Sequence, residues 1–275
     1  MSGVWTGVRE RVLALREAPN WQAVFGADFH TYGHRFELLP VLTEEQVAAV
    51  ERHRGVTFPA EYRAFLLEVG AGGAGPDYGL FPVRPVEPDT PVEPGTPAGP
   101  GTPAGPGTPA GPGTHPERDA PVEPGTHAEP TESAAPPASD HSALLFRPER
   151  TRELAAHQEA QPLRADYGDT AADEERFRRD LHAWDTREDE LLDALSEGTL
   201  CVSSQGCGYY TLLALTGPAR GTMWHDARAA AEGLLPVEII GGPGRLTFAP
   251  WYLHWLHHAE RQAARPPAAP GHPPA

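Results

Sequence analysis

The sequence predicts an α+β domain whose two parts lie on either side of a spacer that does not fold. Three observations carry this reading. Two capped amphipathic helices between Thr43 and Gly70 bring an apolar face but no sheet, and the strand-like stretch from Thr199 to Leu215 brings a sheet but no such helices. The chain between them holds almost no large apolar side chains. Either half alone would leave its apolar face in water, so a single interrupted domain is the expectation.

Taken in order, Val4 to Glu17 sets Trp5, Val8, Val12 and Leu15 on one face and breaks at Pro19. This reads as a helix that docks on the domain. Arg9, Glu10 and Arg11 stand where a signal peptide would need an apolar run. No stretch approaches the roughly 18 to 20 apolar residues of a membrane span. A cytoplasmic protein with no membrane partner is therefore expected.

Thr43 and Gln46 form a capping box, in which each side chain satisfies an orphan backbone donor at a helix start. Val47, Val50 and Arg54 follow on one face. Gly55 supplies the left-handed residue that stops the helix, with Val56 packing back over its last turn. Pro59 sits where the next helix begins, and Tyr62, Phe65, Leu66 and Val69 form its apolar stripe, closed by Gly70. The loop from Gly70 to Pro76 follows a helix rather than a strand and lacks a basic residue to hold an anion. Its glycines are read as a tight turn that brings Tyr78 back onto the sheet.

From Arg84 the sequence changes character, with Gly-Thr-Pro-Ala-Gly-Pro repeated three times from Gly95. Glycine does not fall at every third position, so a collagen-like triple helix is excluded. With little apolar surface to offset the entropy of ordering, residues 84–141 are expected to be a disordered, extended insert. Beyond it, Asp173 to Glu197 carries Phe177, Leu181, Trp184, Leu191, Leu192 and Leu195 at helical spacing, as one long acidic helix or two short ones. Thr199 to Ser203 and Tyr209 to Leu215 read as strands joined through Ser204-Gln205-Gly206, and Trp224 ends another strand.

Charge and composition narrow the chemistry. The net charge is −16, with −7 in residues 84–141 and −8 in residues 149–197. This disfavours direct contact with nucleic-acid phosphates and favours a basic partner. No lysine occurs in the chain, which removes the phosphate-loop lysine, pyridoxal Schiff bases and Ser-x-x-Lys acylation. Two cysteines, Cys201 and Cys207, make no disulfide framework and fit no common zinc spacing. His30 and His34 lack a nearby third ligand, while His254, His257 and His258 read as the wet face of a helix. His225 and Asp226, adjacent on a strand, point to opposite faces, and no Gly-x-Ser-x-Gly elbow is present. No catalytic residue, metal or cofactor is expected.

Pro40, Leu42, Thr43 and Val47, then Glu51 and Gly55, Phe58-Pro59 with Tyr62-Arg63 and Phe65-Leu66, and Gly72-Gly73-Ala74-Gly75-Pro76 with Tyr78-Gly79-Leu80 together form a pattern similar to the SUKH superfamily, the Smi/Knr-type domain. Gly198 to Leu215, followed by Gly217, Gly221, Trp224 and Asp226, resembles that family's central hairpin and strand end. Thr247-Phe248 and Trp251 to Leu256 resemble its closing helix.

The resemblance implies a single SUKH-like α+β domain in which helices pack on a small, largely antiparallel sheet. The parts are an N-terminal helical extension (1–37), a first half (38–83), the insert (84–141), a second half (142–261) and a tail (262–275). It also implies binding rather than catalysis, as an immunity protein that neutralises a basic toxin domain, such as a nuclease. The alternatives are a regulatory or scaffold protein of the cell-wall-regulator type and, more remotely, a metal-dependent hydrolase. Asp77, Tyr78, Tyr209, Tyr210, Trp224 and Asp226 are the candidate partner-binding residues, because aromatics beside carboxylates suit a basic partner.

Overall fold

The computed structural model describes residues 3–29, 33–85, 142–239 and 244–266. Of the expected insert (84–141) only residues 84–85 are described, and of the expected tail (262–275) only residues 262–266, the first two of which belong to the last helix; the rest of both lies outside the described residues. Six helices and four strands are found among the described residues: α1 (Val8–Ala14), α2 (Glu44–Arg54), α3 (Ala60–Glu68), α4 (Arg150–Glu159), α5 (Ala171–Leu195), β1 (Thr199–Gly206), β2 (Tyr209–Ala214), β3 (Met223–Asp226), β4 (Leu234–Pro236) and α6 (Phe248–Ala263). The strands form one antiparallel sheet in the order β1-β2-β3-β4. The fold is α+β.

Local chemistry sets the helix ends. Thr43 Oγ1 accepts from Gln46 N at 3.2 Å, and Thr43 N donates to Gln46 Oε1 at 2.9 Å. Gly55 takes the left-handed conformation, φ 66°, and Val56 N donates back to Glu51 O at 3.1 Å. Glu51, buried by its turn, accepts from Phe58 N at 2.7 Å and lies 3.3 Å from Arg63. The link between α2 and α3 is thereby closed around a paired charge.

One apolar core is built by both parts of the chain. Trp5 is buried and packs edge-on against Phe65 (5.2 Å), Tyr252 (5.8 Å) and Phe248 (5.9 Å), while its indole N–H donates to Glu61 O at 2.9 Å. Phe65 meets Phe248 at 5.2 Å and Tyr252 at 4.8 Å. Leu200, Val202, Leu213, Leu215 and Met223 cover this core from the sheet. The N-terminal segment is thus central to the packing, tied also by a two-pronged Arg11–Glu260 pair at 2.8 Å.

The second sheet face is covered as well, by Phe146, Leu154 of α4 and Leu191 and Leu195 of α5 on Leu212, Ala214, Trp224 and Leu234. Strand alternation forces this second layer, since apolar residues at both odd and even positions of β2 expose two faces that need cover. The acidic 173–197 region proves to be one helix of 25 residues, started by a Thr170–Asp173 capping box.

The hairpin differs from its expected form. β1 runs on through Gly206, and the turn is Cys207-Gly208, with φ of 52° and 82°. A type I′ hairpin turn, which follows the strand twist, needs two positive φ values, and this pair supplies them where Ser204-Gln205-Gly206 supplies only one. Cys201 sits opposite Leu212 and Cys207 in the turn, and both thiols are free.

The glycine loop extends the sheet. Single bridges join Leu38 to Gly73, Gly73 to Leu80 and Leu80 to Ser203, and Tyr78 N and Phe81 N donate to Ser204 O and Val202 O. Backbone approach is so close that a Cβ on Gly26 (φ 76°) would fall 1.8 Å from Asp77 O. Gly7 has nearly the same φ, 72°, with nothing within 4 Å. Gly26→Ala is expected to destabilise the protein by several kcal/mol, and Gly7→Ala only by the left-handed penalty of about 1–2 kcal/mol. Urea unfolding of the two variants checks this, and equal losses would show that backbone conformation rather than contact with Asp77 dominates.

Candidate functional site

Under the end of the glycine loop, the face of the sheet turns from apolar to polar. Leu213 and Met223 belong to the core, but one step along each strand on that face stand Thr211 and His225, with Gln205 beside them on β1. Gln205 Nε2 donates to Thr211 Oγ1 at 2.9 Å and lies 2.6 Å from His225 Nδ1. Thr211 Oγ1 in turn donates to Asp77 Oδ2 at 3.4 Å.

Asp77 is held rigidly over this cluster. Its backbone is left-handed, φ 59°, with Gly26 packed on its carbonyl. Buried Ser203 anchors the loop on both sides of Asp77, its Oγ lying 3.0 Å from Pro76 O and 2.9 Å from Gly79 O. Tyr252 fixes the loop from below by donating to Ala74 O at 2.8 Å. Burial pushes the Asp77 carboxyl up to about 6, against the smaller opposing effect of the Thr211 and Ser203 hydroxyls.

Beside the carboxylate lies an exposed aromatic cluster. The Tyr78 ring lies over Gly206, where an added Cβ would meet it at 3.1 Å, and is flanked by Phe25 at 5.2 Å and Phe29 at 5.3 Å. Phe25 is 59% exposed and Phe29 47%. Large aromatics this open at a rigid loop are typical of contact surfaces rather than cores.

Of the six residues selected from sequence, the structure brings Asp77 and Tyr78 together here. Tyr209 shares the face of Thr211 by strand alternation. Tyr210 packs on the opposite apolar cluster. Trp224 and Asp226 lie inside the protein, 3% and 2% exposed. Trp224 sits 5.2 Å from Phe146 under the Arg245 guanidinium, and Asp226 binds Arg228 with both oxygens, at 2.8 and 2.7 Å. Arg228 also donates to Leu192 O, so this pair fastens α5 to the end of β3. His225 and Asp226 do point to opposite faces. Phe25, Phe29, Gln205 and Thr211 were not selected, because only the strand register brings Gln205 and Thr211 to Asp77, and only the fold of residues 24–29 brings the two phenylalanines to Tyr78.

His34 Nδ1 accepts from Phe36 N at 3.0 Å, and burial lowers its pKa to about 4. His30 lies outside the described residues. Among the described residues, no group of three or more His, Cys, Asp or Glu side chains could hold a metal ion, and no helix is long and apolar enough to cross a membrane. An apolar cleft of about 400 Å³ lies elsewhere, between Leu39, Val41 and Val83.

Residues 41–99 match the model of the SMI1 / KNR4 family (SUKH-1), a stretch that includes α2, α3 and the glycine loop. Searches of curated proteins and of solved structures found no match.

The two shifted groups affect stability in opposite directions. Asp77, raised from its unfolded value, contributes stability that is fully present below about pH 4 and lost as pH rises through 6. His34, lowered, contributes stability present above about pH 6.5 and lost as pH falls toward 4. Asp77→Asn keeps a residue that tolerates left-handed backbone. It is expected to stabilise the protein at pH 8 by about 1–3 kcal/mol, a gain that shrinks as pH falls through 6. Urea unfolding at a series of pH values checks this; a variant less stable than the parent at pH 8 contradicts it.

Proposed function

From the SUKH-superfamily membership that the family match supports, we propose that this protein is a non-enzymatic, cytoplasmic immunity protein that binds and neutralises a basic toxin domain. SUKH domains are protein-interaction domains. The observation that carries the reading is the cluster of half-buried Tyr78 with exposed Phe25 and Phe29 beside Asp77, on a chain of net charge −16. Aromatic anchors bury large areas at low entropic cost, and an acidic field speeds encounter with a basic partner. A toxin that acts on nucleic acid presents a basic surface of the kind such a field attracts.

Affinity capture with the product of the neighbouring gene, followed by co-expression, is the direct test. Rescue of growth from that toxin is expected. Absence of both a toxin-like partner and rescue would overturn the reading. Removal of residues 86–141 is expected to leave rescue intact, because the chain is anchored on the domain at both ends of that stretch, by Val83 N to Ala71 O and by Ser142 Oγ to Arg54 O. Loss of rescue by a folded deletion variant would favour a scaffold that depends on its insert.

A further inference from the structure

We propose that Asp77, with Phe25 and Tyr78 beside it, is the seat for a single arginine side chain projected by the partner. The inference rests on the protein-binding reading above and names the chemistry at its centre.

The two buried carboxylates among the described residues each hold an arginine. Glu51 lies 3.3 Å from Arg63, and Asp226 lies 2.7 Å from Arg228. Asp77 differs. Its side-chain partners among the described residues are neutral hydroxyls, and none of the ion pairs found among those residues includes it. A half-buried carboxylate without a cation destabilises the folded protein, yet the loop is built to keep it in place: Gly26 admits the Asp77 carbonyl, and Ser203 anchors the carbonyls on both sides. A cation that arrives from outside would compensate this desolvation while keeping the group ionised.

The surroundings select arginine over lysine. A guanidinium is planar, gives up its water more readily than an ammonium, bonds a carboxylate with two parallel N–H groups and stacks on aromatic faces. Tyr78 and Phe25 offer those faces in the residue next to Asp77 and 5.2 Å from it in turn. The titratable groups around Asp77 on other elements are His225 of β3, Tyr209 of β2 and His34 beneath Gly79. Burial lowers both histidines, which disfavours their acting as the missing cation.

The test follows the Asp77 side-chain carbon by NMR in the isotope-labelled full chain, titrated with N-acetyl-arginine amide and, separately, with its neutral citrulline counterpart. The arginine probe is expected to lower the Asp77 midpoint from about 6 by about one pH unit, and citrulline to leave it in place. The surface variant Phe25→Ala is expected to reduce the arginine effect without loss of fold. A midpoint unmoved by the arginine probe, or moved equally by citrulline, overturns the proposal. Against a captured toxin, Asp77→Asn is expected to weaken binding about 30-fold or more, as loss of one partner of a buried charge pair does. If that variant binds as tightly as the parent, the arginine seat fails while the immunity reading stands. If the arginine probe binds and no toxin is found, the reverse holds.

Discussion

The aromatic packing of Trp5, Phe65, Phe248 and Tyr252 is the contact on which the rest of the molecule depends. These rings come from the N-terminal segment, the helix pair and the closing helix, and neither half of the chain can bury them alone. Burying four large aromatics offsets several kcal/mol of ordering entropy apiece, which makes the join between the halves the main source of cooperativity. Two polar contacts give it direction. Trp5 donates to Glu61 O, and Tyr252 reaches Ala74 O, 178 residues away in sequence. The second of these transmits the packing to the glycine loop, so the position of Asp77 is set by the core rather than by the loop.

The loop itself stores unfavourable terms that the core sustains. Asp77 is left-handed, its carboxylate is desolvated with no counter-charge among the described residues, and three aromatic rings stand partly open to water beside it. Each would be relieved by a simple substitution, and all three meet at one end of one sheet face. Local departures from the rules of stable packing are expected where a surface is used for recognition. The opposite face of the sheet shows the ordinary solution, with Asp226 paired to Arg228 and Trp224 enclosed.

Features that depend on near neighbours in the chain were legible in the sequence. The Thr43–Gln46 box, the Gly55 stop, the stripe of α3 and the helical face of α5 are fixed by residues three or four apart. The two-residue turn at Cys207-Gly208 was harder to see, because a cysteine at positive φ is uncommon and the strand's bulges shift its register. α4 carries a weak pattern, with Leu154 its sole buried side chain, and gains its place by packing under the sheet and against α5, where His157 stacks on Trp184. Tyr78 was legible as a candidate through its place after the glycines, whereas Phe25 and Phe29 sit in a stretch with no regular period.

By itself the sequence determined much of the composition of the domain: the segments of α1, α2, α3, α5 and α6, which stretch pairs as a hairpin, and that two incomplete apolar faces had to meet. Those follow from local hydrogen bonding and from burial, both written in residue spacing. Only the tertiary structure decided which side chains face water and which face each other. Trp224 and Asp226 read the same as Tyr78 and Asp77 along the chain, an aromatic near a carboxylate at a strand end or loop. Strand alternation and the second helical layer bury the first pair, and the glycine loop leaves the second half-buried beside the exposed Phe25 and Phe29, its carboxylate paired among the described residues only with hydroxyls.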